Sequence, residues 1–147
     1  VADDDWKTDA CPHHGPSLAV SGTGKFHVAW YTQGSKRSGV FYANSVNQGL
    51  SYSKPSRIGT DGSNVARPYL FSSGQKVWLI WKEFDGKKSS VYLKESIDDG
   101  SNWSSPKILA STTGYSDHPL LIAKDREMYL SWLTRDDRYQ LINIGPK

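Results

Sequence analysis

Six polar residues stand where chemistry could be done: His13, His14, Arg67, Glu83, Asp117 and His118. Arginine offers a planar fork of donors that fits a carboxylate or phosphate. Imidazoles titrate near neutral pH, and a carboxylate beside them can accept from sugar hydroxyls or move a proton. Brought together, these groups would make a site for a small anion or a glycan. The plainer reading is that they cap strand ends and bind water. Cys11, next to His13 and His14, raises a metal or a thiol nucleophile. Zinc needs three or four ligands at recognisable spacing, and one Cys with two adjacent His does not supply them. A buried thiol is the expectation, with no metal and no cofactor.

A second polar cluster is "SIDDGSNW", residues 96–103. A calcium loop counted from Asp98 would need Gly at its sixth position and Glu at its twelfth. Trp103 and Leu109 stand there instead. Asp carboxylates that accept from nearby backbone N–H groups, followed by a Gly that takes positive φ, are the chemistry of a tight turn. An echo, "SVNQGLSY", begins 51 residues earlier with Ser45 and keeps Gly49 and Tyr52, with Asn47 in place of Asp98.

The echo belongs to a repeat that runs through the chain. Trp30, Trp81 and Trp132 are 51 residues apart, and Pro16, Pro68 and Pro119 mark the same period. Each unit reads as a Pro, a short apolar run, a polar turn and a second apolar run ending at Trp. A third run follows in "GVFYANS" and "SVYLKES", then the Ser–Gly–aromatic turn and a fourth run. The runs are short, rich in Val, Ile and aromatics, and bounded by Gly, Ser, Asp and Pro, which predicts strands. Phe26, Val28 and Trp30 alternate onto one face, and Ala29 on the other is also apolar. The sheets are therefore expected to be covered on both sides. Four-stranded units of about 45 residues predict an all-β fold, a β-propeller with about three blades per chain, half of a six-bladed ring. The expected division is blade 1 at 11–61, blade 2 at 62–112 and an incomplete blade 3 at 113–147. Residues 1–10 are expected to be a strand that completes a third blade.

Ser96, Asp98, Gly100 and Trp103 resemble the Asp-box, the bacterial neuraminidase repeat of sialidases and many other propellers. The resemblance implies that this motif joins the third and fourth strands of a blade on the rim away from the active site. It gives Asp98 and Trp103 a structural role, echoed by Ser45, Asn47, Gly49 and Tyr52. "CPHHGP" (11–16) resembles a segment of sialidase-like repeat proteins. Sialidase catalysis in the family uses three arginines, a Tyr nucleophile paired with a Glu, and an acid/base Asp. Arg67-Pro68 resembles the family's Arg-Ile-Pro motif without its Ile. Arg37, Arg57, Arg126, Arg135 and Arg138 fall mostly in turns, and no Tyr stands out as nucleophile. A secreted or periplasmic setting is also implied, although the sequence from Val1 onward contains no signal peptide.

The net charge of +3 comes from scattered Lys and Arg among acids, which argues against a nucleic-acid surface. No apolar run is long enough to span a bilayer as a helix. The reading that results is a sialidase-like repeat protein. It would bind a carbohydrate or small anion at the central channel, using His13, His14, Arg67, Glu83, Asp117 and His118, with Tyr31 and Tyr115 as aromatic contacts. The alternatives are a glycoside hydrolase with a divergent catalytic set and a purely structural or protein-interaction propeller. The missing fourth strand leads us to expect a homodimer that closes a six-bladed ring.

Overall fold

The computed structural model describes residues 1–6 and 15–147. These contain no helix and eleven strands. The first sheet holds β1 (Ser17–Val20), β2 (Phe26–Gln33), β3 (Ser38–Ser45) and β4 (Ser56–Ile58) in that order. The second holds β5 (Asn64–Ser73), β6 (Lys76–Phe84), β7 (Ser89–Ser96) and β8 (Lys107–Thr112). The third holds β9 (Leu120–Lys124), β10 (Glu127–Thr134) and β11 (Arg138–Pro146). Every pairing is antiparallel. Each sheet is thus an up-and-down blade, and the run "YQLINI" lies within β11.

Alternation explains why the blades stack. Along β6, Val77, Leu79 and Trp81 face the first sheet, where they meet Ala29, Val40, Tyr42 and Ile58. Trp78 and Ile80 face the third sheet and meet Leu121, Met128, Leu130 and Trp132. A blade buried on both faces needs apolar residues at both parities, and β6 supplies them. Trp81 is 1% exposed, and its truncation to Ala would cost about 3–5 kcal/mol. The innermost strands also bond to one another: Leu70 N–H donates to Ser17 Oγ at 2.9 Å, and Ser72 Oγ donates to the Val20 carbonyl at 2.7 Å.

The three repeat tryptophans each donate their indole N–H at the same end of the blades, to different acceptors. Trp30 donates to Asp4 Oδ2 (2.8 Å), Trp81 to Glu83 Oε1 (2.7 Å) and Trp132 to the Asp117 carbonyl (3.1 Å). Residues 1–6 form no strand within the chain. They lie against the first blade, where Arg37 pairs with Asp4 at 2.6 Å and Trp6 meets the edge of Tyr31 with ring centroids 5.8 Å apart. Cys11, His13 and His14 lie outside the described residues.

Candidate functional site

The polar groups divide between the two ends of the blades. At one end are the turns that follow β3 and β7. Ser96 Oγ donates to Asp98 Oδ1 (2.8 Å), Gly100 N–H to Ser96 Oγ (2.8 Å) and Asn102 N–H to Asp98 Oδ1 (2.8 Å). The echo repeats this: Ser45 Oγ donates to Asn47 Oδ1, Gly49 N–H to Ser45 Oγ and Ser51 N–H to Asn47 Oδ1, each at 2.9 Å. Bonds from the Asn102 side chain and backbone and from Ser96 hold the Asp98 carboxyl down at about 2. Its lone pairs are committed to the turn, so these residues build the loop and leave little acceptor capacity for a ligand. Trp103 closes it, packing edge-on against Tyr42 at 5.1 Å.

The neighbouring Asp99 has a different role. Its Oδ1 takes a hydrogen bond from His27 Nε2 at 3.1 Å, its Oδ2 one from Thr23 Oγ1 at 2.5 Å, and its carbonyl one from Lys25 Nζ at 2.8 Å. His27 Nδ1 meets the Tyr42 hydroxyl at 2.8 Å. A carboxylate only accepts, so Nε2 carries the imidazole proton and Tyr42 donates to Nδ1. Burial lowers the His27 pKa, outweighing the hydrogen bond to Asp99, and burial pushes Tyr42 up to about 12. Burial also works to raise the Asp99 carboxyl, but bonds from Thr23, Ser21 and His27 win and hold it low. Neutral His27 and ionised Asp99 thus tie the first blade to the second. Gly100 completes this junction: its φ is +76°, and a Cβ there would run into the Tyr42 hydroxyl and the His27 ring.

The other end carries the candidate site. Strand β5 contains a bulge: Ala66 pairs with Lys82 and Tyr69 with Ile80, so Arg67 and Pro68 together oppose Trp81. Arg67 has φ 56°, a left-handed backbone directly before a proline. Residues before Pro favour extended conformations, and strain of this kind gathers at functional positions. Lys82, half-buried, donates from Nζ to the Ser116 carbonyl (3.0 Å) and Ser116 Oγ (3.2 Å). Burial lowers its pKa, the Arg67 charge lowers it further, and Asp117 partly offsets both. Arg67 and Asp117 are therefore each within electrostatic reach of Lys82.

Asp117 is fixed from three sides. Its backbone N–H donates to the Leu133 carbonyl at 2.9 Å, its carbonyl accepts from Trp132, and its Oδ1 accepts from the His118 N–H at 2.7 Å. Beside it lies a hollow of about 390 Å³ lined by Tyr115, Asp117, Leu133, Thr134 and Arg135. That is within the ~300–1,000 Å³ of small-molecule sites. Tyr115 is 80% exposed and presents a ring to it.

Arg67, Asp117 and His118 thus come to one end of the blades, where two of them act on Lys82. Glu83 does not join them. It is 4% exposed and accepts from Trp81 Nε1 and, at 3.0 Å, from Thr60 N–H. Its neighbour Lys82 points to the opposite face, as strand alternation requires. Lys82 itself was not among the residues expected here. The repeat held its signal: the equivalent positions are Tyr31 and Leu133, so a lone charged residue stands in an apolar series. Among the described residues no group of three or more His, Cys, Asp or Glu could hold a metal ion.

Stacked antiparallel blades, two of four strands and one of three among the described residues, with inner strands gathered on one side, are parts of a β-propeller. Solved structures agree. The chain is similar to an α-L-arabinanase from Penicillium chrysogenum complexed with arabinobiose (TM-score 0.68, 14% identity, 96% of this chain and 47% of that one). It is similar to the Hadza microbial sialidase Hz136 (0.59, 14%, 95% and 35%). It also resembles an exo-1,5-α-L-arabinanase from a bovine ruminal metagenomic library (0.57, 13%, 87% and 51%). The chain spans about half the length of the arabinanases and about a third of the sialidase. No family model and no curated protein matches it.

Proposed function

We propose that the chain is a sialidase-like Asp-box propeller unit that binds a carbohydrate or small anion at the Arg67 end of its blades. The observation that carries this reading is the bulge at Arg67–Pro68. It holds an arginine in a left-handed backbone beside a half-buried lysine and an exposed carboxylate. Two cations suit a carboxylate or a run of hydroxyl oxygens, Asp117 can accept from a sugar hydroxyl, and Tyr115 offers a face for stacking. The three similar structures are named as enzymes of sugar polymers or sialosides, which favours a glycan over an inorganic anion. The two turns with matching hydrogen bonds support the Asp-box assignment.

Binding is favoured over hydrolysis because Glu83 is enclosed by Trp81 and Thr60. Most glycosidases need two carboxyl groups facing the scissile bond. The test is a glycan array with neutral arabino-oligosaccharides and acidic sialosides, followed by titration calorimetry on the hits and turnover of fluorogenic sialoside and arabinoside. The expected result is saturable binding, weakened at least tenfold by Arg67→Ala, without turnover. Turnover by the wild type would establish the hydrolase reading, and its loss or survival in Glu83→Gln would say whether Glu83 takes part. Failure of every glycan to bind would remove the proposal.

A further inference from the structure

Lys82 stands in β6, at the junction between the second and third blades. Its partners across the sheet are Ala66 in β5 and Val91 in β7, so all three side chains share one face. Val91 is fully buried. The methylene stem of Lys82 therefore rests on an apolar neighbour while the ammonium is carried clear of it, as long cationic side chains prefer. Ser116 catches the ammonium there, through its carbonyl and its Oγ. Ser116 is itself held: it is 6% exposed and bridges to Thr134 at the end of β10. An ammonium has three N–H donors, and among the described residues these two neutral oxygens are the only acceptors that Lys82 Nζ meets.

The other repeats do without a charge at this position. Tyr31 and Leu133 occupy it in the first and third blades, and both blades form with no cation there. The charge thus belongs to this junction and not to the scaffold. No ion pair among the described residues includes Lys82. Arg67, next to Ala66 in the bulge, carries a like charge that works against it, and Asp117 only partly offsets this. Asp117 also accepts from the His118 N–H. Half-burying a cation without a counter-ion is costly. An arriving carboxylate would relieve that cost and form a charge-assisted hydrogen bond with the remaining N–H. A neutral hydroxyl in the same place could accept the bond but would not supply the charge.

We propose that Lys82 is the charge-selecting residue of the Arg67 end: it receives a carboxylate of the ligand and sets a preference for acidic over neutral glycans. This rests on the reading that a glycan or small anion binds at that end. Arg67 brings a planar fork of donors that suits hydroxyl and carboxylate oxygens alike. Lys82 adds a compact point charge that tells them apart. Uronic acids and sialic acids both carry such a carboxylate. The competing role for Lys82 is a pin between the two blades, made by its bonds to Ser116. A pin would govern melting, but it would not govern the ratio of affinities for acidic and neutral ligands.

Titration calorimetry on matched ligands tests this: galacturonate and glucuronate oligosaccharides and sialosides, each against its own methyl ester. The wild type should bind at least one acid about tenfold or more tightly than its ester, and added salt should narrow the gap. Lys82→Gln keeps a donor for Ser116 without the charge, and should bring the ratio near unity. Lys82→Leu, which matches Leu133 of the third repeat, should do the same, and Lys82→Arg should keep the preference. Melting curves show which variants fold, and Lys82→Gln decides if Lys82→Leu does not. The pair that shows the preference, uronate or sialoside, identifies the source of the carboxylate. A wild-type ratio near unity, or a preference undiminished in Lys82→Gln, would overturn the role of Lys82 while leaving glycan binding at the Arg67 end in place. Failure of acids and esters alike to bind the wild type would instead remove the site, and this role with it.

Discussion

Asp99→Ala is the substitution whose cost can be worked most directly from the structure. Asp99 Oδ1 is the acceptor for His27 Nε2, and His27 is 0% exposed, so its N–H would be left buried without a partner. An unsatisfied buried donor costs about 1–3 kcal/mol. Thr23 Oγ1 and Ser21 Oγ also lose this acceptor, but they lie 2.9 Å apart and can bond to each other. The Lys25 contact is to the Asp99 carbonyl and survives any side-chain change. The net loss is about 1–3 kcal/mol, which at ~2–4 °C per kcal/mol is a fall in Tm on the order of 2–12 °C. Asp99→Asn keeps an acceptor for His27 and a donor for Thr23, whose hydroxyl can also accept, and should lose less than half as much. Scanning calorimetry of both variants is the assay. Equal Tm values for the two, or a fall under about 1 °C for Ala, would refute the view that this bond carries the junction between blades.

Three further outcomes are expected. Gly100→Ala should lower Tm well beyond Gly74→Ala: both glycines have positive φ, at 76° and 59°, but only Gly100 faces the Tyr42 hydroxyl; parity in melting experiments would remove the steric argument. His27 has a folded pKa below its ordinary 6.5, so the unfolded chain takes up its proton first. Stability should fall as pH drops below about 6.5, and urea titrations of His27→Gln should lack that slope. Asp98 is depressed to about 2, so its contribution is present above the ordinary carboxylate range and fades as pH approaches 2. Asp98→Ala should lower Tm at pH 7, converge on the wild type near pH 2, and leave glycan titrations unchanged.

The fold was legible because the repeat exposes itself three times. Trp30, Trp81 and Trp132 fix the period, and apolar residues at both parities of "KVWLIWKE" announce a sheet covered on two sides. The turn at Ser96–Trp103 was legible because Asx and Gly chemistry is local. The junction of His27, Tyr42 and Asp99 was not: its members lie up to 72 residues apart and meet only after two blades have stacked. Glu83 follows a repeat tryptophan and suggests a channel position, but alternation turns it towards Trp81 and Thr60 and turns Lys82 to the other face, towards Ser116. Arg67 was placed by its repeat position, whereas the bulge that aims it has no sequence signal beyond Pro68. The roles of His13 and His14 rest on the sequence reading.

A crystal structure of the protein with the tightest-binding glycan from the array tests the central claim most directly. The account predicts sugar density at the Arg67 end of the blades, with an oxygen of the glycan within hydrogen-bond distance of Arg67 or Lys82 and a ring near Tyr115. Density at the opposite end, against Ile97 and Trp103, with the Arg67 end holding only solvent, would contradict it.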